Sequence, residues 1–220
     1  MQLSNDTISI LKNFSTINPS LWIKRGDAIS TISPQKTIIA KAKVAESFPV
    51  ECGIYELNKF LSVISLFNNQ TTNLDFQDKY VDIIDGSQKI RYVYADKEMI
   101  AVPPEKEVVF PQPDCSFKLT SSNLQSITKA ISVLQLPEVA FVGEEGVIEV
   151  RGINSKSPTA GNYSLKIGET NKEFKMVYKI ENLKFISADY IVDITKNCIT
   201  RFATDNINYM IMAEANSNFK

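Results

Sequence analysis

Apolar residues along this chain alternate between two periods. Over 4–17 they recur at helical spacing, with Leu3, Thr7, Ile10, Leu11 and Phe14 on one face and Asn5, Ser9, Lys12 and Thr16 on the other. Ser4, with Asp6 and Thr7 just inside, is a helix start signal. The period then shortens and predicts strands over 21–24, 28–32, 37–44 and 48–54, punctuated by Gly26-Asp27 and Ser33-Pro34. A second helix is predicted over 56–67, with Leu57, Phe60, Leu61 and Ile64 on its core face. Strands over 73–77, 80–84 and 88–95 follow, the last two joined at the hairpin signal Asp85-Gly86.

The stretch 102–114 holds four of the nine prolines. Residues before proline are driven toward extended geometry, so this mid-chain stretch reads as a stiff connector. Beyond it the plan repeats. A strand over 116–120 leads to a helix over 121–135, then strands over 139–142 and 147–153, a polar loop over 154–162 and strands over 163–168 and 173–180. A short helix over 181–187 leads to strands over 190–195, 198–204 and 208–213. The two halves also match residue by residue. Positions 8–17 align with 125–134, where Ser9, Ile10, Lys12 and Ser15 meet Ser126, Ile127, Lys129 and Ser132. Positions 56–62 align with 181–187, where Glu, Lys, Phe and Ser coincide. The shared element order is the stronger sign of duplication. The expected fold is α+β, with two similar domains, 1–102 and 115–220, each of antiparallel sheets with two helices, joined by the connector 103–114.

Charge narrows the function. Lys and Arg number 24 and Asp and Glu 25, for a net charge of −1, so any nucleic-acid contact must come from a local patch. With no histidine, Ser-His-Asp and Cys-His nucleophiles and His-ligated zinc are excluded. None of the 8 glycines falls in a dinucleotide or P-loop pattern. Cys52, Cys115 and Cys198 are too scattered for a metal or redox motif and read as free thiols of a reducing compartment. The N-terminus does not read as a signal peptide, and no apolar run has membrane length, so a cytosolic protein is expected. Asp82 and Asp85 could be paired carboxylates, but strand alternation sends them to opposite faces. Ser4-Asn-Asp and Ser121-Ser-Asn read as helix caps, not nucleophiles. Trp22 is a core residue or an interface anchor, and the tyrosines and phenylalanines read as sheet packing. No enzyme, cofactor or metal is expected.

One pattern remains. Each of the four expected helices carries one lysine in its body: Lys12, Lys59, Lys129 and Lys184. Their acids, Asp6, Glu56 and Glu181, sit near the N-termini, where they complement the helix dipole. A weakly basic helical layer suits phosphates held without base readout. Taken alone, one lysine per helix is also what any solvated helix face shows.

Longer runs of residues carry a resemblance. Leu3-Ser-x-Asp-Thr, Leu11-Lys-Asn-Phe14, Thr16-Ile-Asn18, Tyr55-x-Leu-Asn-x-Phe-Leu61 and Ser65-Leu66 resemble the helices of the DNA polymerase sliding clamps of T4-like bacteriophages. Lys106 with Phe110-Pro111 resembles that family's connector; Tyr163-Ser-Leu165, Gly168, Asn208-Tyr209 and Glu214-Ala215 resemble its second domain. The resemblance implies the DNA-clamp fold: a homotrimeric, non-catalytic ring around duplex DNA, lined by helices, that tethers the replicative DNA polymerase for processive synthesis. It implies an ATP-dependent clamp loader, service in phage late transcription and a place in the host cytoplasm. The four helix lysines would face DNA in the lumen. The family's third helix can carry two basic residues, whereas this one has Lys129 and then Ser132, so lumen contacts are expected to be weaker or supplied from elsewhere. The polymerase tail would dock near the connector on Val108, Val109, Phe110 and Pro111, with Met212 and Ala213 nearby; alternatively Phe110 simply pins the connector to its own domain. For the ring contact, an edge strand over 88–95 would pair with one over 163–169 of the next subunit, engaging Lys89, Arg91, Val93, Ser164 and Lys166. Two other classes compete with the ring: a monomeric two-domain adaptor without DNA binding, and a carboxylate enzyme at Asp82 and Asp85.

Overall fold

The computed structural model of the protein describes residues 1–67, 71–106, 108–157 and 161–220. Glu107 of the connector and residues 158–160 of the polar loop lie outside the described residues. The chain divides into two compact units, Met1–Glu107 and Val108–Lys220.

The first unit opens with α1 (Asn5–Ile17), capped by Ser4, whose Oγ accepts from the Thr7 N–H at 3.2 Å. Glu46 from β3 also accepts from the Ser4 N–H, so strand and helix start are tied together. β1 (Leu21–Ile23) pairs antiparallel with β4 (Cys52–Ile54), and β2 (Gly26–Ile32) with β3 (Ile38–Phe48). α2 (Leu57–Ser65) follows, then the meander β5 (Asn73–Phe76), β6 (Tyr80–Asp85) and β7 (Gln88–Val93). α1 packs beside α2 and over β3. Ile10, Leu11 and Phe14 of α1 and Leu57, Phe60, Leu61 and Ile64 of α2 are buried, which leaves each helix a polar outer face.

The second unit begins with β8 (Cys115–Leu119) and α3 (Ser121–Leu134). The cap of α3 is Thr120, one residue before the expected Ser121; its Oγ1 accepts from the Asn123 N–H at 3.1 Å. β9 (Glu138–Glu144), β10 (Val147–Ile153), β11 (Tyr163–Glu169), β12 (Phe174–Lys179) and β16 (Asn218–Phe219) form one sheet in the order β11-β10-β9-β12-β16. The β9–β10 hairpin turns on Glu145 and Gly146, both at positive φ, the conformation that two-residue hairpin loops require. β8 pairs with β13 (Tyr190–Ile194), β13 with β14 (Ile199–Ala203) and β14 with β15 (Ile207–Met212). Phe141, at centroid distances of 5.8 Å from Phe117, 6.0 Å from Tyr178 and 5.8 Å from Phe202, centres this unit's aromatic core.

The expected fourth helix over 181–187 is absent. The chain makes only a 3-10 turn, Ile180–Asn182, so the described residues hold three α-helices and Lys184 lies outside all of them. Side chains have taken the backbone groups that a helix would use. The Ile186 N–H donates to Tyr209 Oη at 3.4 Å, and its carbonyl accepts from Tyr190 Oη at 2.5 Å. Phe185 is drawn onto Phe202 and Tyr209, at 4.5 and 4.8 Å between centroids. The duplication survives this loss. Phe60 meets Tyr92 at 5.1 Å as Phe185 meets Tyr209, and each tyrosine hydroxyl accepts a backbone N–H, though from non-equivalent positions, Glu56 in the first unit and Ile186 in the second.

Candidate nucleic-acid interface

Lys12, Lys59 and Lys129 project from the exposed faces of α1, α2 and α3, and Lys184 is exposed on the segment after the 3-10 turn. That segment still runs beside α3, because Gln125 Nε2 donates to Ser187 Oγ at 3.2 Å and the Ser121 N–H to Asp189 Oδ1 at 2.8 Å. The four lysines therefore fall in two groups, one on each unit's helical layer. Lys59 pairs with Glu56 at 3.1 Å, but both side chains are mostly solvated, so the pair is weak and a phosphate could compete for it. Hydroxyl side chains stand near the three helix lysines. Ser15 Oγ donates to the Lys12 carbonyl, Ser62 Oγ to that of Asn58 and Thr128 Oγ1 to that of Leu124, each at 2.7 to 2.8 Å. A sparse positive charge on a hydroxyl-bearing surface can attract a polyanion without fixing its register.

The residues expected at a subunit contact lie on strands with one open side. β7 pairs only with β6 and β11 only with β10 among the described residues. Lys89 and Arg91 are already engaged within the chain. Asp82, 3% exposed, receives the Arg91 guanidinium at 2.8 and 3.1 Å and the Lys89 ammonium at 2.6 Å. Arg91 also lies 3.6 Å from the Tyr80 ring centre. Arg91 first, then Lys89, pulls the Asp82 carboxyl down to about 2 despite its burial. Asp82 is thus a structural anion. Val93, 67% exposed, stands at the end of the same strand face. On β11, Ser164 is exposed and Lys166 pairs with Glu169 at 3.4 Å. Trp22 is half-buried, with the Lys97 ammonium 5.9 Å from its ring centre.

Val108, Val109 and Pro111 are exposed, and Phe110 is half-buried. The strand register places Met210, Arg201, Asp193 and Ser116 in one row across the outer face of β15-β14-β13-β8. Met212 and Ile199 form the neighbouring row on one side, Ala203 and Ile191 on the other. Arg201 donates to Asp193 Oδ2 at 3.0 and 2.6 Å, and Ser116 Oγ to Asp193 Oδ1 at 2.5 Å. The Arg201 guanidinium carbon lies 4.8 Å from the Phe110 ring centre. Of the residues expected at a docking groove, Phe110 and Met212 lie at this face and Ala213 is half-buried next to Met212 in the chain; Arg201, Asp193 and Ile191 were not among those expected. Among the described residues no cluster of three metal-ligating side chains occurs, and no helix is long and apolar enough to cross a membrane.

Duplicated α+β units with outward polar helix faces and open-edged antiparallel sheets describe a replication clamp, and the family models agree. The model for DNA polymerase processivity factor matches residues 4–102, and that for gp45 sliding clamp, C terminal, matches 116–215. The chain belongs to this family of sliding clamps. It is 34% identical to the sliding clamp of Vibrio phage KVP40, over 98% of this chain and 100% of that one. To the sliding clamp of Enterobacteria phage T4 it is 29% identical, over 99% of this chain and 98% of the relative. The fold is also that of A. fulgidus PCNA, solved with the C-terminal region of FEN-1 bound: the TM-score is 0.73 at 9% identity, over 99% of this chain and 98% of that one.

Proposed function

We propose that the chain closes as a homotrimer into a ring around duplex DNA and tethers the replicative DNA polymerase for processive synthesis. The observation that carries this reading is the end-to-end match of both halves to phage sliding clamps. Residues 1–102 and 115–220 serve as the two clamp domains and 103–114 as the connector. An ATP-dependent clamp loader opens the ring, and the protein works without catalysis or cofactor in the host cytoplasm. Lys12, Lys59, Lys129 and Lys184 face the duplex, and three copies of this set give a lumen of modest positive charge. Weak, register-free contacts let the ring slide, because topology supplies the retention. The open edges of β7 and β11, with Lys89, Arg91, Val93, Ser164 and Lys166, form the ring contact between subunits. A heterologous contact of this kind closes at three by rotation. The polymerase tail docks on Val108, Val109, Phe110, Pro111, Met212 and Ala213. The binding of the FEN-1 C-terminal region by the archaeal structural neighbour supports a peptide as the occupant.

The test is Lys-to-Glu reversal at positions 12, 59, 129 and 184 together, read as product length on a primed template with polymerase, loader and ATP. Product length is expected to fall to that of polymerase alone, while the variant still binds a polymerase tail peptide. Full processivity in the variant would remove the four lysines from the DNA contact, and a parent chain that gives no longer product than polymerase alone would favour the adaptor reading.

A further inference from the structure

Asp193 faces outward from the sheet β8-β13-β14-β15, yet it is only 3% exposed. Two polar neighbours account for its satisfaction: Arg201 on one carboxylate oxygen and Ser116 on the other. These bonds fix the Arg201 guanidinium as a flat cationic platform at the centre of the face. Its surroundings are apolar and open, with Ile191 50% and Met212 54% exposed and Ile199 and Met210 half-buried. The ring on that platform is the chain's own Phe110. Phe110 comes from a stretch whose neighbours Val108, Val109 and Pro111 are exposed, and Pro111 and Pro113 have no N–H to give to a sheet. The stretch is tied down further on, where the Asp114 N–H donates to the Ile194 carbonyl at 2.9 Å and Asp114 Oδ2 accepts from the Lys196 N–H at 2.8 Å. Phe110 thus stands four residues before this anchor, with its ring on Arg201, a site suited to an aromatic side chain.

We infer that Phe110 is an internal competitor: it occupies the place on Arg201 that an aromatic side chain of the docked partner tail takes, and it must swing off for the tail to bind. This rests on the docking reading above for the face that the tail uses, and changes one residue of it: Phe110 leaves that face instead of lining it. It makes the partner segment an apolar peptide bearing an aromatic residue. It also reverses the sign expected of Phe110, which as a groove-lining residue would strengthen binding. An exposed cation–π contact is worth ~0.5–1 kcal/mol, so removing the competitor should tighten the tail by about 2- to 5-fold.

The probe is a fluorescein-labelled C-terminal tail peptide of the replicative polymerase, titrated by anisotropy into the full chain. Phe110→Ala is expected to bind about 2- to 5-fold more tightly than the parent, and Arg201→Ala more weakly than either. A second readout does not depend on truncation. In Phe110→Trp the introduced indole should shift its emission to the red when unlabelled tail peptide, chosen without tryptophan, is added, because the ring is expelled to water. Weaker or unchanged binding by Phe110→Ala, or a blue shift in Phe110→Trp, overturns the inference. A parent chain that does not bind the tail at all would instead bring down the docking reading beneath it.

Discussion

Asp82 and Asp193 show what an arginine opposite an aspartate does at the residue scale. Each carboxylate sits on a sheet face, is buried, and is balanced by an arginine directly across the strand pair, Arg91 and Arg201. Burying a carboxylate without such a partner is costly, so these pairs fix side-chain positions more than they add net stability. For Asp82 the consequence is a measurable acid dependence. Arg91 and Lys89 hold its carboxyl near 2, against ~4 in an unfolded chain. A depressed folded pKa contributes stability that is present above the unfolded value and lost as pH falls through the folded one. Denaturant unfolding of Asp82→Asn at a series of pH values should therefore show a deficit at neutral pH that narrows from ~4 down to about 2. A deficit independent of pH would mean that the pair does not titrate as a unit. The separation of Asp82 from Asp85 could be read from strand alternation. The burial of Asp82 could not, because it depends on Arg91 lying opposite across β6 and β7.

At the scale of elements, the helices show how local signals and tertiary contacts divide the work. Ser4 and Thr120 each cap a helix through a side-chain oxygen, and the two lie in different units. Ser4→Ala and Thr120→Ala should each cost ~1 kcal/mol in denaturant unfolding and add in the double variant. A loss well short of additive would mean that the two caps share a partner. Most strands were legible because alternation and turn residues agree; β10 falls at the expected 147–153. The fourth helix was misread for a definite reason. The segment 181–187 has the composition of 56–62, but Tyr190 and Tyr209 bond its backbone, and no local pattern announces that. The clasp at Arg201 escaped for a subtler reason. A two-residue turn at 196–197 would put Asp193 opposite Thr200. Instead Cys198 takes φ +59° and Thr195 pairs through to Ile199, so the register moves by one and Asp193 meets Arg201.

For the whole molecule, duplication is the organising fact. The helix faces repeat, with Ile10 and Phe14 buried in α1 where Ile127 and Ile131 are buried in α3, and Lys12 and Lys129 exposed at matching positions. With a net charge of −1 and one exposed lysine on each of the three helices, no face of either unit carries dense positive charge from its helices. Such sparse charge cannot hold DNA by affinity against physiological salt, because phosphate contacts weaken steeply as counterions compete. On the proposed reading retention comes from linkage of a closed ring, which the resemblance implies and no single residue announces. The direct measurement is release on cutting. The chain is loaded onto a nicked circular plasmid with loader and ATP, passed through a gel-filtration column, and run again after a restriction enzyme cuts the circle once. The account predicts co-elution with the circle and loss from the linear product. Equal retention on circular and linear DNA would contradict it, because the chain would then be held by contact and not by encirclement.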